Sequence, residues 1–227
     1  MTNKLRTTTL NQNQKISRVG QLKKKTPKDS SEMSIRVNDR FCLVPVGDWI
    51  FTDRDTIEAM SKWRSAHMGA FFKRFEPSAE SMRNYLFTHA VGESNRLLFL
   101  AKQGAGFVGH LGLSNIEGRN AELDNVLKSP DWLVSDDASS MRECLRILMQ
   151  WANSNLSIDN FCLNVLSSNV RAINLYEELG FSISQRVPVK PDLNCEWGSL
   201  IDDLENSEKN NSLYRLTMTL VFTDRRR

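Results

Sequence analysis

The chain has 227 residues and a formal net charge of +3; 40% of its residues are apolar and 25% are charged. These proportions are typical of one globular domain with a real core, and they exclude a low-complexity or collagen-like protein. No apolar run approaches the roughly 20 residues that cross a bilayer, and the N-terminus lacks the apolar segment of a secretory signal, so we expect no membrane span.

The cysteines and histidines argue against a metal site. None of the four cysteines belongs to a C-x-x-C pair, and the chain has only three histidines, so the ligand spacing of a zinc site is absent and we expect no metal. Cysteines within apolar stretches behave as small hydrophobic residues. We interpret them as reduced thiols and predict a cytoplasmic protein.

The N-terminal segment is strongly basic. Residues 1–28 contain eight lysines and arginines and no acid, a pattern typical of a solvated, flexible arm. Such a block could attract phosphate, but no aromatic residue interleaves with the lysines to stack on bases, so we do not expect nucleic-acid binding. We predict a disordered basic tail over residues 1–38 and one folded domain over residues 39–224.

The first predicted elements of the domain are a strand, two helices and a hairpin. Residues 41–46 read as a short strand. Residues 54–69 carry apolar side chains at helical spacing, and a second helix starts at the Pro-Ser pair of residues 77–78. The strands at 96–102 and 107–113 are joined by a glycine turn, which predicts an antiparallel hairpin.

The second half alternates strands and helices. We predict strands at 121–127, 161–166, 181–187 and 213–222, and helices at 139–153 and 169–179. A strand–helix–strand unit needs a crossover, so two of these strands pair in parallel. The sequence therefore predicts an α/β fold with a mixed (α+β) sheet of about seven strands and helices on both faces. The final strand, placed at an edge, could pair with a second copy in a homodimer.

The segment after the 161–166 strand carries the clearest motif. Residues 168–181 read S-N-V-R-A-I-N-L-Y-E-E-L-G-F and resemble the signature N-x-x-A-x-x-L-Y-x-x-x-G-F of the GNAT superfamily of N-acetyltransferases. The order of elements from residue 41 to 222 is similar to that fold. The resemblance implies acetyl-CoA as cosubstrate and direct attack by a primary amine of a small molecule in a ternary complex. A finer similarity, at residues 124–126 and Trp151, is to the branch associated with nucleotide-linked amino sugars.

Asn169 and Tyr176 are the central candidate residues. They are seven residues apart, so on a helix they share one face. The resemblance implies that Asn169 holds the pantetheine arm and that Tyr176 protonates the departing thiolate. A phenol with a pKa of about 10 is protonated at neutral pH and suits that task. The alternative interpretation is that Asn169 only caps the helix and Tyr176 only packs in the core.

The amine must lose a proton before it attacks, and Glu122 is the candidate base. The resemblance favours Glu122, which projects from the 121–127 strand on the same side as Asp124. The alternative is that both carboxylates lie on a solvated strand face. His110 is a second candidate because imidazole titrates near neutral pH, although it could equally be a hydrogen-bonded core histidine.

The stretch expected to bind the coenzyme A diphosphate departs from the family pattern. GNAT members place a glycine-rich loop before the helix, whereas residues 128–141 contain no glycine. We expect Ser139, Ser140, Met141 and Arg142 to bind the cofactor there, while Val126 and Leu127 contact pantetheine through their main chain. The missing glycines leave open a second interpretation, a GNAT-fold binding or regulatory module with weakened or lost coenzyme A binding.

Overall fold

The structure is a computed structural model that describes residues 10–24, 33–130, 137–195, 198–203 and 213–222, with the side chains of 137–139 excepted. Within these ranges no helix combines the length and hydropathy needed to cross a bilayer. The same ranges contain no cluster of three or more histidine, cysteine, aspartate or glutamate side chains able to hold a metal ion.

Five α-helices and nine strands make up the described chain. The helices are α1 (Gln12–Lys23), α2 (Arg54–Ala66), α3 (Ala79–Tyr85), α4 (Asp137–Leu156) and α5 (Val170–Glu178). The strands are β1 (Ile35–Arg36), β2 (Phe41–Pro45), β3 (Leu97–Gln103), β4 (Gly106–Glu117), β5 (Asn120–Lys128), β6 (Asn160–Leu166), β7 (Ser182–Pro191), β8 (Leu200–Asp202) and β9 (Tyr214–Val221). Short 3₁₀ turns at Asp48–Thr52 and Met68–Ala70 flank α2, and a π-helical turn, Leu86–Val91, extends α3.

Helix α1 corrects the prediction of a disordered tail. It lies inside residues 1–38, and Asn11 caps it with Gln14 in a capping box. Val19 and Leu22 are buried in the core of the domain. The ammonium groups of Lys15 and Lys23 donate to main-chain carbonyls of the loops beneath them, at Gly118 and at Val91 and Glu93 respectively. A buried ammonium group needs hydrogen-bond acceptors, and here carbonyls of the domain supply them. The two lysines therefore attach the helix to the domain.

The sheet is larger than predicted. Its nine strands run in the order β1-β2-β3-β4-β5-β6-β9-β7-β8, so the expectation of about seven strands was wrong. The two additional strands, β1 and β8, have two and three residues, too few for a clear alternating pattern. Strands β5 and β6 are parallel, as the crossover argument predicts, and the other pairs are antiparallel.

The position of β9 corrects the argument for a homodimer. This strand lies between β6 and β7 and is hydrogen-bonded on both sides, so it is not an edge. It returns to the interior of the sheet although it comes last in the chain. The edges of the described sheet are β1 and β8.

Helices cover both faces of the sheet, as predicted. Strand β3 shows the division, since Leu97 and Phe99 face one apolar cluster while Leu98 and Leu100 face the other. The first cluster includes residues of α1, α4 and α5, and the second includes residues of α2, α3 and the π-helical turn. Both faces of β3 are therefore buried, which explains its continuous apolar run.

Candidate active site

Strands β5 and β6 separate after three residue pairs. They are paired with each other from Asn120 and Asn160 to Glu122 and Cys162. Beyond these residues β5 continues to Lys128 beside β4 and β6 continues to Leu166 beside β9, but β5 and β6 no longer pair with each other. Parallel neighbours that part in this way open a wedge in the middle of the sheet. Helix α4 forms the crossover from β5 to β6 and α5 follows β6, and residues of both helices lie at the opening.

A β-bulge in β5 forms one side of the wedge. Gly112 of β4 pairs with Asp124 and His110 pairs with Leu127, so two residues of β5 oppose Leu111. Asn125 has a φ of 51° there. Simple alternation predicts Asn125 on the face opposite to Asp124, but the bulge turns its amide toward α3. Its Nδ2 donates to the Tyr85 hydroxyl at 2.6 Å and to Asp124 at 2.8 Å.

The wedge continues into a groove of about 480 Å³. One wall is the end of β5, and the other is α5 together with its N-cap. The groove is lined by His67, Ala70, Val126, Leu127, Lys128, Ser129, Pro130, Met141, Asn169, Arg171, Ala172, Asn174, Leu175, Tyr176 and Glu178. The groove therefore brings together the predicted Asn169, Tyr176, Val126, Leu127 and Met141.

Asn169 is both a helix cap and a groove residue. Its Oδ1 accepts from the main-chain N–H of Ala172 at 3.2 Å, which satisfies one free donor of the first turn of α5. The cap engages the carbonyl oxygen of the amide. The described structure assigns no acceptor to the Nδ2 group of Asn169, so both sequence interpretations of this residue are compatible with the geometry.

Tyr176 lies deep in the groove. It is 7% exposed, and its ring packs edge-on against Phe181 with centroids 6.1 Å apart. Burial, reinforced by the negative charge of Asp124, raises the pKa of the Tyr176 phenol above its ordinary value. The phenol is therefore protonated at neutral pH and able to donate.

Glu122 occupies the last paired position of β5, at the mouth of the wedge. Its two carboxylate oxygens accept from Asn164 Nδ2 and Asn115 Nδ2, each at 2.8 Å. The side chain is half-buried, and it points away from the cluster that contains Ala121 and Leu123. Glu122 is therefore hydrogen-bonded to neighbours on both adjoining strands, β4 and β6, and stays partly accessible to solvent.

A second carboxylate, Asp124, lies within the wedge in a charged cluster. Arg96 pairs with Asp124 and with Glu93, and Glu93 also meets His89. Burial, with Asp124 as the next cause, raises the pKa of Tyr85 to about 12. Sequence reasoning missed Arg96 and Tyr85, because neither lies in a motif and only tertiary contacts bring them to Asp124.

His110 has the environment of a structural histidine. It is 3% exposed, its Nδ1 donates to the Asn125 carbonyl at 2.6 Å, and its ring lies 6.3 Å from that of Trp63. Burial lowers the pKa of His110 to about 4, so the imidazole is neutral at pH 7. The hydrogen bond from His110 to the Asn125 carbonyl stabilises the bulge. This geometry favours the interpretation of His110 as a hydrogen-bonded core histidine.

Nearby, the buried guanidinium of Arg64 stacks on Phe71 at 3.3 Å from the ring centroid and donates to the Lys73 carbonyl. Burial lowers the pKa of Arg64 to about 10, so the group stays charged at neutral pH.

The other predicted cofactor residues are arranged differently. Ser140 is buried outside the groove lining, and the side chain of Ser139 and residues 131–136 lie outside the described part of the chain. Arg142 binds Glu178 of α5, with Nη1 2.7 Å from Oε2. Two cations that sequence reasoning did not select, Lys128 and Arg171, line the groove instead. The sequence signals that could have identified them are the position of Lys128 at the end of a strand and the position of Arg171 within the 168–181 motif.

Comparisons with known proteins identify the family to which this fold belongs. The domain family described as "Acetyltransferase (GNAT) domain" matches residues 40–182, well over half of the chain. No curated protein sequence matches.

Among solved structures, the Vibrio cholerae spermidine N-acetyltransferase in complex with CoA and spermine has a TM-score of 0.59 and 17% identity, over 81% of this chain and 96% of that one. The ribosomal α-N-protein acetyltransferase RimL in complex with coenzyme A has a TM-score of 0.60 and 13% identity, over 83% and 98%. At these identities the similarity concerns the fold.

Proposed function

The chain belongs to the acetyltransferase (GNAT) family, and on that premise we propose that it transfers the acetyl group of acetyl-CoA to a primary amine of a small molecule. The observation that carries the proposal is the wedge between β5 and β6, with Asn169 and Tyr176 on one wall of the groove that extends from it. The groove is mostly apolar and has Lys128 and Arg171 in its lining, which fits a thioester on a flexible arm that ends in phosphates.

Tyr176 serves as the general acid. In direct transfer the amine nitrogen bonds to the thioester carbonyl carbon, the carbon–sulfur bond breaks, and the thiolate takes a proton. The Tyr176 phenol supplies that proton, because burial keeps it protonated at neutral pH and no hydrogen bond of its hydroxyl to another described residue competes for it. Solvent then reprotonates the Tyr176 phenolate, which completes the cycle.

Glu122 serves as the general base for the attacking amine. Its carboxylate is fixed at the mouth of the wedge by two amide donors and accepts the amine proton directly or through water. Asp124 has a different task, since its ion pair with Arg96 and its bonds to Asn125 hold the bulged strand. A Glu122→Gln variant keeps one of the two acceptor oxygens but loses the base, and we expect a loss of 10²–10⁴-fold in kcat. Asp124→Asn should instead lower thermal stability.

For the acetyl acceptor we propose a chemical class, a primary amine of a small molecule. The sequence similarity favours an amino sugar, whereas the similar structures are enzymes acting on spermidine and on a ribosomal protein. A screen over amino sugars, polyamines and peptide N-termini therefore distinguishes the three.

Reduced cysteines in all four positions are consistent with the cytoplasmic location that we propose. A homodimer, if formed by strand pairing, would use β1 or β8, the edges of the described sheet.

One observation favours a second candidate function, a GNAT-fold binding or regulatory module. Residues 128–141 lack the glycines that let main-chain amides approach a diphosphate. Calorimetric titration with acetyl-CoA, followed by detection of free thiol in the presence of the amine panel, separates the two functions. Binding with acceptor-dependent thiol release supports the transferase. Binding without release for any amine supports the module, and the absence of any binding heat or thermal shift contradicts the transferase.

A further inference from the structure

The carboxylate of Glu122 is one end of a chain of hydrogen bonds that runs from β5 through β6 and β9 to β8. Asn164 of β6 donates from Nδ2 to Glu122, and Arg215 of β9 donates from Nη1 to the Oδ1 of Asn164 at 3.1 Å. Arg215 also donates to both carboxylate oxygens of Asp202 in β8, at 3.0 and 2.7 Å. The chain therefore links the candidate base to the edge of the described sheet.

Asn164 lies where β5 and β6 separate. The last pair between these two strands joins Glu122 to Cys162, and Asn164 is the next residue of β6 on the same face as Cys162. The hydrogen bond from Asn164 to Glu122 thus crosses from one strand to the other at the level where their main-chain pairing stops. It joins the two strands at the mouth of the wedge.

The orientation of the Asn164 amide is fixed by its neighbours on β9. Its Oδ1 accepts from Arg215 and also from the Thr217 hydroxyl, at 2.9 Å. A guanidinium group only donates, so Arg215 can bond to the carbonyl end of the amide and not to its NH₂ end. The NH₂ group of Asn164 therefore points to Glu122, which as an ionised carboxylate only accepts.

Arg215 is itself held by Asp202. Hydrogen bonds from Arg215 lower the pKa of Asp202, so this carboxylate stays ionised at neutral pH. A bidentate pair of this kind fixes the plane of the guanidinium group as well as its position. Arg215 bonds to Asn164 rather than to Glu122, and it therefore acts on the base through that amide.

A second amide fixes the other oxygen of Glu122. Asn115 has a φ of 51° and lies in β4 where the pairing with β5 shifts between Ser114 and Glu117. From there its Nδ2 donates to Glu122 at 2.8 Å. An ionised carboxylate offers about four lone-pair sites, so two amide donors still leave room for the proton of an amine.

We propose that Asn164 and Arg215 are positioning residues that hold the carboxylate of Glu122 toward the attacking amine. The proposal rests on the proposed function, in which Glu122 is the base. Proton transfer needs the donor and the acceptor within hydrogen-bond reach, and a carboxylate that rotates freely spends less time in that geometry. The short strand β8 then has a task in the site, because Asp202 orients Arg215.

The test is a pair of double-mutant cycles in the full chain, with the release of free thiol from acetyl-CoA as the assay. The acceptor is whichever of glucosamine, spermidine and an alanine-initiated peptide the wild type turns over fastest. We expect Asn164→Ala to lower kcat about 10–100-fold. Arg215→Met should lower kcat by a smaller factor, because Thr217 still bonds to Asn164. In a Glu122→Gln background neither substitution should lower kcat further, since both act through that carboxylate.

Thr219→Ala is the matched control. Thr219 lies on the same face of β9 as Arg215 and outside the chain of hydrogen bonds, so this variant should keep the wild-type kcat. Neither Asn164 nor Arg215 lines the groove. The calorimetric affinity for acetyl-CoA and the melting temperature should therefore stay near wild type in both variants.

A fall in kcat that is absent from the Glu122→Gln background supports the assignment. Wild-type kcat in both Asn164→Ala and Arg215→Met overturns it and leaves the proposed transferase standing. An equal further loss in the Glu122→Gln background also overturns it, since the two residues would then act on the structure in general. Wild-type kcat in Glu122→Gln itself removes the base and its positioning residues together. If the wild type releases no thiol with any of the three acceptors, the proposed function fails and the assignment fails with it.

Discussion

The helical wall of the groove, α5, and the strand wall, the end of β5, position their residues by different means. On α5 the seven-residue spacing alone puts Asn169 and Tyr176 on one face, and Asn169 begins the helix by capping it. On β5 the side-chain directions depend on a bulge, which exists only because β4 pairs with a shifted register.

The two walls therefore respond differently to substitution. A substitution on the helical wall removes a chemical group and leaves the wall in place, because α5 keeps its own hydrogen bonds. A substitution beside the bulge disturbs the path of β5, and with it every residue that β5 carries into the site. We therefore expect chemical defects from the first wall and structural defects from the second.

The largest expected effect tests the helical wall. Tyr176→Phe removes only the hydroxyl, so we expect kcat to fall 10²–10⁴-fold while the affinity for acetyl-CoA and the melting temperature stay near wild type. Steady-state kinetics and calorimetry measure the two quantities. Tyr214→Phe in β9, outside the groove lining, is the matched control. An unchanged kcat would show that Tyr176 acts through the packing of its ring alone, because phenylalanine keeps that ring.

The pH profile sharpens the same point. Because burial raises the pKa of Tyr176, the acid form persists beyond the ordinary range of about 10 for a phenol. We expect no alkaline fall in kcat attributable to Tyr176 up to pH 10. An alkaline limb near pH 8 that vanishes in Tyr176→Phe would contradict this account.

The next effect tests the strand wall through Gly112, which faces the bulge at Asp124. A Cβ at Gly112 would lie 2.7 Å from the Leu97 carbonyl oxygen, so β4 must shift. We expect Gly112→Ala to destabilise the protein by about 1–3 kcal/mol. We also expect lower activity, because a displaced bulge moves the residues that β5 carries into the site. Gly106→Ala, in the same strand with open space around its Cβ, should be near neutral in chemical denaturation. Equal stability of the two variants would contradict the role of the bulge.

The smallest effect separates the two tasks of Asn169. Asn169→Asp retains a good helix cap but loses the amide N–H donor, whereas Asn169→Ala loses both. We expect the alanine variant to lose about 1 kcal/mol of stability and the aspartate variant to keep it. If the amide also binds pantetheine, the aspartate variant still weakens acetyl-CoA binding several-fold by calorimetry. An aspartate variant with wild-type affinity would reduce Asn169 to its capping role.

Most elements of the domain could be predicted because their patterns are local. The helix over residues 139–153 is confirmed within α4, and the residue that begins α5, Asn169, is its cap. The N-terminal helix could not be predicted from such local patterns. Val19 and Leu22 are its only buried apolar residues, since Ile16 is exposed. Lys15 and Lys23 have the pattern of solvated charges until the carbonyls that they bind are known.

Local patterns in the sequence were enough to predict the order of elements, the parallel crossover and the face shared by Asn169 and Tyr176, because helical periodicity and strand alternation act over a few residues. Only the tertiary structure decided the bulge at Asn125, the early separation of β5 from β6, the ion pair of Arg96 with Asp124 and the interior position of β9. Each of these depends on which distant segment lies alongside, and pairing between distant segments leaves little trace in the local pattern of either one.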